Sequence, residues 1–546
     1  MGKKEAEKEV EKEIKKEVKK EAEKEKEKEA EIAAKGHLKI VTKEQFSTEI
    51  KPKLEAEGKT VALCHGVFDL VHPGHVIHLE QAKEMADVLV VSVTAAAYVR
   101  KGPGRPYFND EMRMKVLAAL SCVDYVLLSE GYTVDDIITC VEPDIYVKGE
   151  EYAKEENDIT GKIAGEKALV EKHGGRIGFT TGQVFSSTKL INTAMSGLSE
   201  EVIRYMEDFK ERHDMQEIRG YAEHAGRLKI LVVGDVIIDR YTYCSVQGMM
   251  SKDTGYSARL NSSEEYLGGA LAVARHLATF TEHVTVMSII GDEKNMRLGI
   301  FDALADKMQL NLEYSHVFPT IVKHRYLTRN QKREEYRKIL AVNNIPEKAG
   351  YEEDTYARFK EKLKERTGDY DAVFLCDFGH GLVDREVMDI LQEKAKYLVL
   401  NCQANSTNMG LNVITKYHRA DAFSLDQKEL KLAFPEHAQE EKTGLQKLAG
   451  HLTGNGWLTR GSEGAYGISG QDIQEAPAFT LSVKDTIGAG DAFLAMAGIF
   501  TAAGAPTEVG TFMGNIGGAL GANIVGNKEA VEKVNVLKYA STLMNI

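Results

Sequence analysis

Apolar positions in this chain fall into two patterns: short continuous runs, and longer segments in which they recur every three or four residues. From about residue 38 onward, the runs TVALCHGVFDL, DVLVVSVT, VDYVLL and PDIYVKG are typical of buried strands, and HVIHLEQAKEMA, FNDEMRMKVLAALS and TVDDIITCV between them are typical of helices. Strands that alternate with helices favour a parallel sheet covered by helices. The pattern therefore predicts an α/β domain over residues 36–195.

A polar, helix-like segment, SEEVIRYMEDFKERHDMQEIRGYAEHAG, interrupts this alternation before a new strand begins at KILVVGDVIID. The same rhythm of strands and helices then continues to the end of the chain. A chain of 546 residues is too long for one ordinary core. We therefore predict a helical linker over 196–226 and a second α/β domain over 227–546.

The first 35 residues consist almost entirely of Glu, Lys and Ala. Their apolar positions are four residues apart, whereas the seam of a coiled coil averages about 3.5: these positions are Ala6, Val10, Ile14, Val18 and Ala22. Glu and Lys residues three or four apart can support an exposed helix. Residues 1–35 are therefore predicted to be a charged, solvated helix or spacer, and an oligomerising helix is the alternative.

Composition restricts the partners and the compartment. The formal net charge is −13, and no run of about 18 apolar residues occurs. We therefore expect neither nucleic acid nor a membrane as a partner, and no secretion. The cysteines form no CxxC pair, which favours reduced thiols and a cytoplasmic location. They are Cys64, Cys122, Cys140, Cys244, Cys376 and Cys402.

The stretch HGVFDLVHPGH follows the first strand and leads into a helix. A helix N-terminus offers unpaired N–H groups and a partial positive charge, which suit a phosphate. His72 and His75 are three residues apart on the first turn, where imidazoles can stabilise the charge of a reacting phosphate. His78, one turn further on, is more easily explained as a structural ring. A zinc site is the alternative, but no cysteine or carboxylate cluster completes a ligand set.

GVFDLVHPGH resembles the HxGH signature of the nucleotidyltransferase superfamily, in its cytidylyltransferase-like branch, and the resemblance covers residues 58–195. It implies a Rossmann-like fold and transfer of a nucleotidyl group from CTP or ATP to a phosphate on a sugar, glycerol or choline, with release of pyrophosphate. His72, His75 and Lys148, the last in YVKGEEY, would be catalytic. The implied nucleotide-binding residues are Gly66, Phe68, Gly74, Arg113 and the FSSTKLI residues Ser186, Ser187 and Thr188.

Two features of this domain stay open. Glu150 and Glu151 depart from the Gly or Asp common in the family, which concerns the acceptor side of the pocket. Asp69 is either a structural cap or a substrate contact. The implied reaction is in-line attack on the α-phosphorus without a covalent intermediate, with bound Mg²⁺ carrying part of the negative charge.

The second candidate site is DTIGAGDAF, which precedes an apolar helix. The small residues Gly488, Ala489 and Gly490 allow backbone N–H groups to approach a phosphate closely. Asp491, just inside the helix, can take a proton from an attacking hydroxyl.

The nonamer resembles the DTxGAGD signature of ribokinase-type carbohydrate kinases. The resemblance implies an ATP-dependent kinase with a ribokinase-like α/β fold, in which Asp491 is the catalytic base and Gly488, Ala489 and Gly490 form the anion hole. It implies nucleotide contacts at Gly461 and Gly464 and a place for Glu429 in the magnesium network. The implied substrate-binding residues are Asp239, Gly268, Gly269, Lys323 and Arg325, although Asp239 could equally cap the next turn.

PTIVKHRYLTRNQ and DFGHG resemble, more narrowly, the kinase half of bifunctional heptose 7-phosphate kinase and heptose 1-phosphate nucleotidyltransferase enzymes. This chain departs from that family at three places: Ala272 stands where an asparagine is expected, Asp426 replaces another asparagine, and LNCQANS replaces a DPK-like stretch. The domain order is also reversed. The resemblance therefore implies the kinase chemistry more strongly than the heptose substrate.

Together these motifs predict a bifunctional enzyme of nucleotide-sugar biosynthesis, of the kind that supplies lipopolysaccharide or capsule precursors. One domain would phosphorylate a heptose-like sugar or sugar phosphate, and the other would activate a sugar 1-phosphate. The alternatives are a polyol phosphate or another unusual capsule precursor, and a kinase-like half that acts only as a sensor. Family resemblance also suggests a homodimer.

Overall fold

The computed structural model describes residues 39–99, 106–149, 163–180, 199–329, 336–346, 350–404, 408, 410–479 and 483–545. The chain divides into two compact units, Met1–Asn192 and Thr193–Ile546. The charged segment predicted over 1–35 lies outside the described residues. Within the described residues, no helix is both long enough and apolar enough to cross a bilayer.

The first unit is built on one parallel sheet in the order β3-β2-β1-β4-β5. Its strands are β1 (Val61–Gly66), β2 (Val88–Thr94), β3 (Tyr125–Ser129), β4 (Ile145–Gly149) and β5 (Arg176–Thr180). Its helices are α1 (Lys43–Gln45), α2 (Lys51–Ala56), α3 (Pro73–Glu84), α4 (Asp110–Ala118), α5 (Asp135–Val141) and α6 (Ile163–Lys172), with a π-helical turn at Phe46–Ile50 between α1 and α2.

The strand order of this sheet locates its candidate site. β2 and β4 lie on opposite sides of β1, so the connections leaving β1 and β4 diverge at the carboxyl edge of the sheet. Ligands of open α/β sheets bind in the crevice at such a point. The strands are apolar on both faces and helices cover them, as the sequence pattern predicts for a parallel sheet.

The second unit contains a nine-stranded sheet in the order β10-β9-β6-β13-β14-β15-β16-β17-β18. Pairing is parallel from β10 to β16 and antiparallel for the last two strands. The strands are β6 (Ile230–Gly234), β9 (Val284–Gly291), β10 (Gln309–Ser315), β13 (Ala372–Asp377), β14 (Leu398–Cys402), β15 (Ala422–Asp426), β16 (Asn455–Thr459), β17 (Ala465–Ser469) and β18 (Asp472–Ala476).

A smaller four-stranded sheet, in the order β12-β11-β7-β8, completes the strands of this unit. It comprises β7 (Val236–Met249), β8 (Tyr256–Gly269), β11 (Ile321–Arg329) and β12 (Tyr336–Asn344). The helices are α7 (Glu200–Arg212), α8 (Met215–Ala225), α9 (Ala270–Leu277), α10 (Lys294–Leu304), α11 (Glu353–Arg366), α12 (Arg385–Lys394), α13 (Gln427–Ala433), α14 (Glu441–Leu452), α15 (Ala489–Ala502), α16 (Thr507–Gly521) and α17 (Lys533–Met544). The predicted α/β class is confirmed for both units.

The segment predicted to be a linker is helical, and it packs onto the second unit as α7 and α8. The ring of Phe209 lies 4.5 Å from that of Phe512, centroid to centroid. Arg212 forms an ion pair with Glu508 at 2.6 Å, and His213 hydrogen-bonds the same carboxylate at 3.2 Å. The polar residues of α7 and α8 lie on the outer face of these two helices, whereas the inner face is apolar and buried.

Candidate active sites

The two histidines of the HPGH stretch cap helix α3 reciprocally. His72 is the N-cap, and its Nδ1 accepts a hydrogen bond from the Gly74 backbone N–H at 3.1 Å. The His72 backbone N–H donates to Nδ1 of His75 at 3.4 Å. Because both Nδ1 atoms accept, each neutral ring carries its proton on Nε2, where it can be donated to a phosphate oxygen. Burial lowers the pKa of His72, which favours this neutral form.

Close packing fixes the positions of these two rings. Their centroids are 3.9 Å apart, and the ring of Phe68 lies edge-on to His75 at 5.5 Å. A Cβ on Gly74 would lie 3.0 Å from the His72 ring, and one on Gly66 would lie 3.1 Å from Phe68. Both distances are tighter than ordinary van der Waals contact. The glycines of the motif therefore make room for the rings, in addition to leaving the helix N-terminus accessible.

Arg113, predicted to bind nucleotide, is instead committed to the protein backbone. Its side chain is fully buried and donates to the carbonyl oxygens of Val67 at 2.6 Å, Thr94 at 2.8 Å and Phe108 at 3.1 Å. An ion pair with Asp110 at 2.5 Å completes its contacts. Arg113 therefore joins the loops that follow β1 and β2, and it acts on the site through their positions.

Asp69 and His78 also make structural contacts. A carboxylate oxygen of Asp69 accepts the Phe108 backbone N–H at 3.1 Å, and Nδ1 of His78 lies 2.7 Å from the Thr180 hydroxyl oxygen. These contacts favour the structural interpretation of both residues. They tie the HPGH loop and helix α3 to neighbouring segments of the same unit.

Lys148 lies at the carboxyl edge of the sheet, near the end of β4. Its ammonium forms a 2.8 Å ion pair with Glu166 of α6 and lies 4.6 Å from the centre of the Tyr146 ring. Burial and the charge of Lys148 lower the pKa of the neighbouring His65 to about 3. A phosphate at this edge would have to replace Glu166 as the partner of Lys148. Ser186, Ser187 and Thr188 lie outside the described residues.

The second unit brings most of its predicted site residues around one cavity of about 230 Å³. The cavity lies where β7 and β11 of the small sheet meet the beginning of α15. Its wall includes seven predicted residues: Asp239, Gly269, Lys323, Arg325, Gly488, Gly490 and Asp491. Residues more than 250 positions apart in sequence thus converge on one site.

The GAGD stretch forms the beginning of α15. Gly488 is the N-cap with φ 82°, and a Cβ there would overlap the side chain of Asn527. Ala489 is the first helical residue, and Gly490 has no atom within 4 Å of its Cβ position. The Ala489 N–H donates to the Thr486 carbonyl at 3.3 Å, and Gly488 and Gly490 on either side of it line the cavity at the start of this 14-residue helix. Such a helix start can bind the transferred phosphoryl group.

Asp491 has the properties of a base poised near neutrality. Burial and the charge of Asp239 raise its pKa to about 7, and Lys323 opposes that shift. The Nε2 atom of Gln403 lies 3.5 Å from a carboxylate oxygen of Asp491. A general base works best when its pKa lies near the operating pH.

The acceptor side of the cavity combines a carboxylate with two cations. Asp239 is buried and ion-paired with Arg325. A Cβ on Gly268 would overlap the Asp239 carboxylate, and a Cβ on Gly269 would overlap the backbone of the segment before β7. The ammonium of Lys323 lies 5.6 Å from the Phe378 ring centre, and burial lowers its pKa. Gly268 is therefore required for the Asp239 carboxylate to occupy its position, and Gly269 for the close approach of the two backbone segments.

Lys338 was missed by sequence reasoning because no motif contains it. Arg325 and Leu327 are two residues apart on β11, so their side chains lie on the same face of the sheet. Lys338 on β12 pairs with Leu327 and lies on that face too. Burial lowers its pKa, and the nearby carboxylates of Asp485 and Asp239 oppose that shift. Lys338 forms no ion pair with any described side chain.

Gln403 and Asn527, which also line the cavity, were missed as well. Gln403 comes from the LNCQANS stretch, where the departure from the heptose kinases was the available signal. Asn527 has φ 60°, and its carbonyl accepts a hydrogen bond from Arg275 at 2.8 Å. Nothing in its local sequence indicated a site.

Glu429, predicted for the magnesium network, is a capping residue of α13. Its carboxylate accepts the backbone N–H groups of Asp426 at 2.9 Å and Ala404 at 3.0 Å. Burial and the charge of Asp426 raise its pKa to about 8. Among the residues that the structure describes, no group of three or more His, Cys, Asp or Glu side chains could hold a metal ion. A resident metal ligated by Glu429 therefore does not fit this geometry.

Gly461 and Gly464 form the turn that follows β16. Their φ values are 59° and 95°, and the Arg460 backbone N–H donates to the Gly464 carbonyl at 2.8 Å. A Cβ on Gly464 would overlap the backbone at Ala476. Both glycines are required by this turn, and neither lines the cavity.

Comparison with known proteins agrees with the division into two units. The family model described as Cytidylyltransferase-like matches residues 63–193. The family model described as pfkB family carbohydrate kinase matches residues 227–515.

Two curated relatives share part of the chain. The Bifunctional protein HldE of Syntrophotalea carbinolica is 39% identical over 152 residues, 27% of this chain and 30% of that protein. The protein of the same name from Trichlorobacter lovleyi is 38% identical over 168 residues, 30% of this chain and 32% of that protein. The matched stretch lies in the N-terminal region, so the chain spans about a third of the length of these relatives.

Solved structures similar to this chain are more distant in sequence. Phosphofructokinase-2 from Escherichia coli, in complex with substrates and products, is 14% identical, with 58% of this chain and 99% of that chain covered and a TM-score of 0.46. The ribokinase from Thermotoga maritima is 16% identical, with 57% and 99% covered and a TM-score of 0.44.

Proposed function

Because the chain belongs to the pfkB family of carbohydrate kinases, we propose that its second unit transfers the γ-phosphoryl group of ATP to a hydroxyl of a sugar or sugar phosphate. The observation that carries this proposal is the cavity where Asp491 and the start of α15 meet Asp239, Lys323 and Arg325. This arrangement supports the proposal because a base, an anion hole and an acceptor side would then lie within one small volume.

The polar groups that line the cavity would have separate roles in phosphoryl transfer. The acceptor oxygen forms a bond to the γ-phosphorus while the bond between that phosphorus and the β,γ-bridging oxygen breaks, and the hydroxyl proton passes to the Asp491 carboxylate. The N–H groups of Gly488 and Gly490 stabilise the charge on the phosphoryl oxygens, whereas the Ala489 N–H donates to the Thr486 carbonyl. Asp239, held by Arg325, accepts a hydrogen bond from a sugar hydroxyl. Mg²⁺ would enter bound to the phosphates of the nucleotide.

The cations of the small sheet favour an acceptor that carries its own anionic group. Lys323 lines the cavity and Lys338 lies on the same face of the small sheet, burial lowers the pKa of each, and neither is ion-paired to a described side chain. A cation whose charged form is disfavoured by burial is stabilised when an anion joins it. A phosphorylated, heptose-like sugar supplies such an anion.

The first unit is a cytidylyltransferase-like domain, and for it we propose nucleotidyl transfer from CTP or ATP to a sugar 1-phosphate. An acceptor phosphate oxygen forms a bond to the α-phosphorus, the bond to the β-phosphate breaks, and pyrophosphate leaves. The Nε2–H groups of His72 and His75 donate to the phosphates at the start of α3, and Lys148 exchanges Glu166 for a phosphate oxygen. The reaction then gains mainly from positioning and charge neutralisation.

Together the two activities would make a bifunctional, cytoplasmic enzyme of nucleotide-sugar biosynthesis, active as a homodimer, with sugar phosphates and nucleoside triphosphates as its partners. The relatives named HldE share only the nucleotidyltransferase part at this level of identity, so the heptose substrate belongs to the proposal. A polyol phosphate is the second candidate acceptor. It is favoured by Ala272, which is 1% exposed and offers a methyl group where the resembling kinases have an amide.

The test pairs CTP, ATP, UTP or GTP with a panel of sugar 1-phosphates and polyol phosphates in the presence of Mg²⁺, and follows pyrophosphate. His72→Asn retains an N-cap acceptor but removes the imidazole. Loss of turnover in this variant would therefore show that the imidazole acts in the reaction and not only as a helix cap. His173→Gln in the same unit is the matched control. Equal turnover by His72→Asn and the parent protein would overturn the role of the ring.

Kinase activity is followed as ADP formation with sugars and sugar phosphates. Asp491→Asn should reduce kcat by at least about 100-fold, since a general base contributes about 10² to 10⁴. Asp472→Asn, at an exposed position of β18, should leave it unchanged. Unaltered kcat in Asp491→Asn would contradict the assigned base.

A further inference from the structure

Gln403 lies beside the proposed base, in the LNCQANS stretch that replaces the DPK-like stretch of the resembling kinases. Its side chain lines the cavity together with Asp491, Gly488 and Gly490, and its Nε2 is 3.5 Å from a carboxylate oxygen of Asp491. An amide N–H is a donor that favours a carboxylate and leaves the second carboxylate oxygen available. We infer that Gln403 is a positioning residue that holds the Asp491 carboxylate toward the acceptor hydroxyl, an inference that rests on the proposed kinase function.

The backbone around Gln403 is held from three sides. Its N–H donates to the Asp377 carbonyl at 2.8 Å, and its carbonyl accepts from the side-chain amide of Asn412 at 3.1 Å. The N–H of the next residue, Ala404, donates to Glu429 at 3.0 Å. This attachment fixes the backbone from which the Gln403 side chain reaches Asp491. The capping residue Glu429 thus helps to position Gln403 through the Ala404 backbone.

Several charged groups act on Asp491, and Gln403 is a neutral group among them. Asp239 from β7 raises its pKa, Lys323 from β11 lowers it, and the hydrogen bond from Gln403 lowers it further. Glu429 on α13 and the buried Cys376 thiol on β13 also interact with it electrostatically. A substitution that changes only the charge at position 403 should therefore change the protonation of Asp491 in a direction set by the sign of that charge.

The experiment measures kcat against pH for the full chain and for Gln403→Glu, Gln403→Lys and Gln403→Leu. Activity rises with pH as Asp491 loses its proton. The added carboxylate of Gln403→Glu should move this limb upward by about one pH unit, and the added ammonium of Gln403→Lys should move it downward by a similar amount. Gln403→Leu, which removes the donor, should lower kcat about tenfold and move the limb slightly upward.

A second measurement needs no acceptor. The stability of each variant is compared with that of the same variant carrying Asp491→Asn, between pH 4 and pH 9. The difference changes between the unfolded and the folded pKa of Asp491, so its midpoint moves in the same direction as the folded pKa, by half as much. This midpoint should move with the charge at position 403 in the same direction as the kinetic limb. Gln474→Glu and Gln474→Lys, at an exposed position of β18, are the matched controls.

The outcomes separate the two proposals. Opposite movements of the midpoint in Gln403→Glu and Gln403→Lys, without turnover on any acceptor, would sink the kinase proposal for those acceptors and leave the coupling of Gln403 to Asp491 standing. Turnover in the parent protein, with limbs and midpoints that coincide in all variants, would overturn the role of Gln403 alone. Movement of equal size in the Gln474 variants would do the same.

Discussion

Asp491 and Asp239 face one cavity of the second unit, and the charge of Asp239 adds to burial in raising the pKa of Asp491 to about 7. One carboxylate thus prepares the other to accept a proton at physiological pH. Arg325 forms an ion pair with Asp239. One of the two carboxylates is therefore neutralised by a cation.

Asp491→Asn should stabilise the ligand-free protein at high pH. The pKa of Asp491 is raised from its ordinary value of 3.8 to about 7. A carboxyl group with a raised folded-state pKa reduces stability progressively as pH rises from its unfolded pKa to its folded pKa. We expect the variant to gain about 4 kcal/mol at pH 8 and nothing at pH 4, measured by denaturant unfolding. A gain that is the same at both pH values would contradict the assigned pKa.

Lys338→Met should weaken binding of a phosphorylated acceptor. Removal of the ammonium should raise KM for a sugar phosphate about tenfold, since a charge-assisted contact contributes about 1.5 kcal/mol. It should change kcat little and leave KM for an unphosphorylated sugar unaltered. Steady-state kinetics with both acceptors test this, and Lys364→Met, at an exposed position of α11, is the control. An equal rise in KM for both acceptors would indicate general damage to the small sheet.

Arg113→Leu should destabilise the first unit because three backbone carbonyls lose their donor. The groups left behind are those of Val67, Thr94 and Phe108. We expect a loss of about 3 kcal/mol, seen as a lower unfolding midpoint of the first unit, with nucleotidyl transfer lost and kinase activity kept. A stable Arg113→Leu protein with a selectively raised KM for nucleotide would instead favour direct nucleotide binding by Arg113.

Glu166→Gln should tighten nucleotide binding in the first unit. The ammonium of Lys148 is neutralised by Glu166 at 2.8 Å, and this contact has to break when a phosphate arrives. Replacing the carboxylate by a neutral amide should lower KM for the nucleoside triphosphate severalfold in the pyrophosphate-release assay. Glu171→Gln, at an exposed position of the same helix, is the control. A raised KM would show that Glu166 orients Lys148 for its phosphate.

Two local patterns in the sequence indicate structural roles that the motifs alone do not. Asp426 and Glu429 are three residues apart at a helix start, which is the spacing of a capping box, so the structural use of Glu429 could have been foreseen. In α7 the buried positions Val202, Met206 and Phe209 have the spacing of one helix face. That spacing indicates that the helix packs against a core, and it could have been used to predict that this segment packs on the second unit.

The sequence by itself determined the features that depend on neighbouring residues: the alternation of strands and helices, the glycines around His72 and His75, and the helix start that carries Asp491. Only the tertiary structure decided which distant residues join these motifs. Gln403 and Asn527 reach the cavity through loop packing, and strand register places Lys338 on the same face of the small sheet as Arg325. The Arg113 guanidinium donates to backbone carbonyls that the tertiary structure places around it. Local spacing encodes periodicity and turn geometry, whereas convergence of separate segments depends on how the sheets pack, which no short stretch of sequence contains.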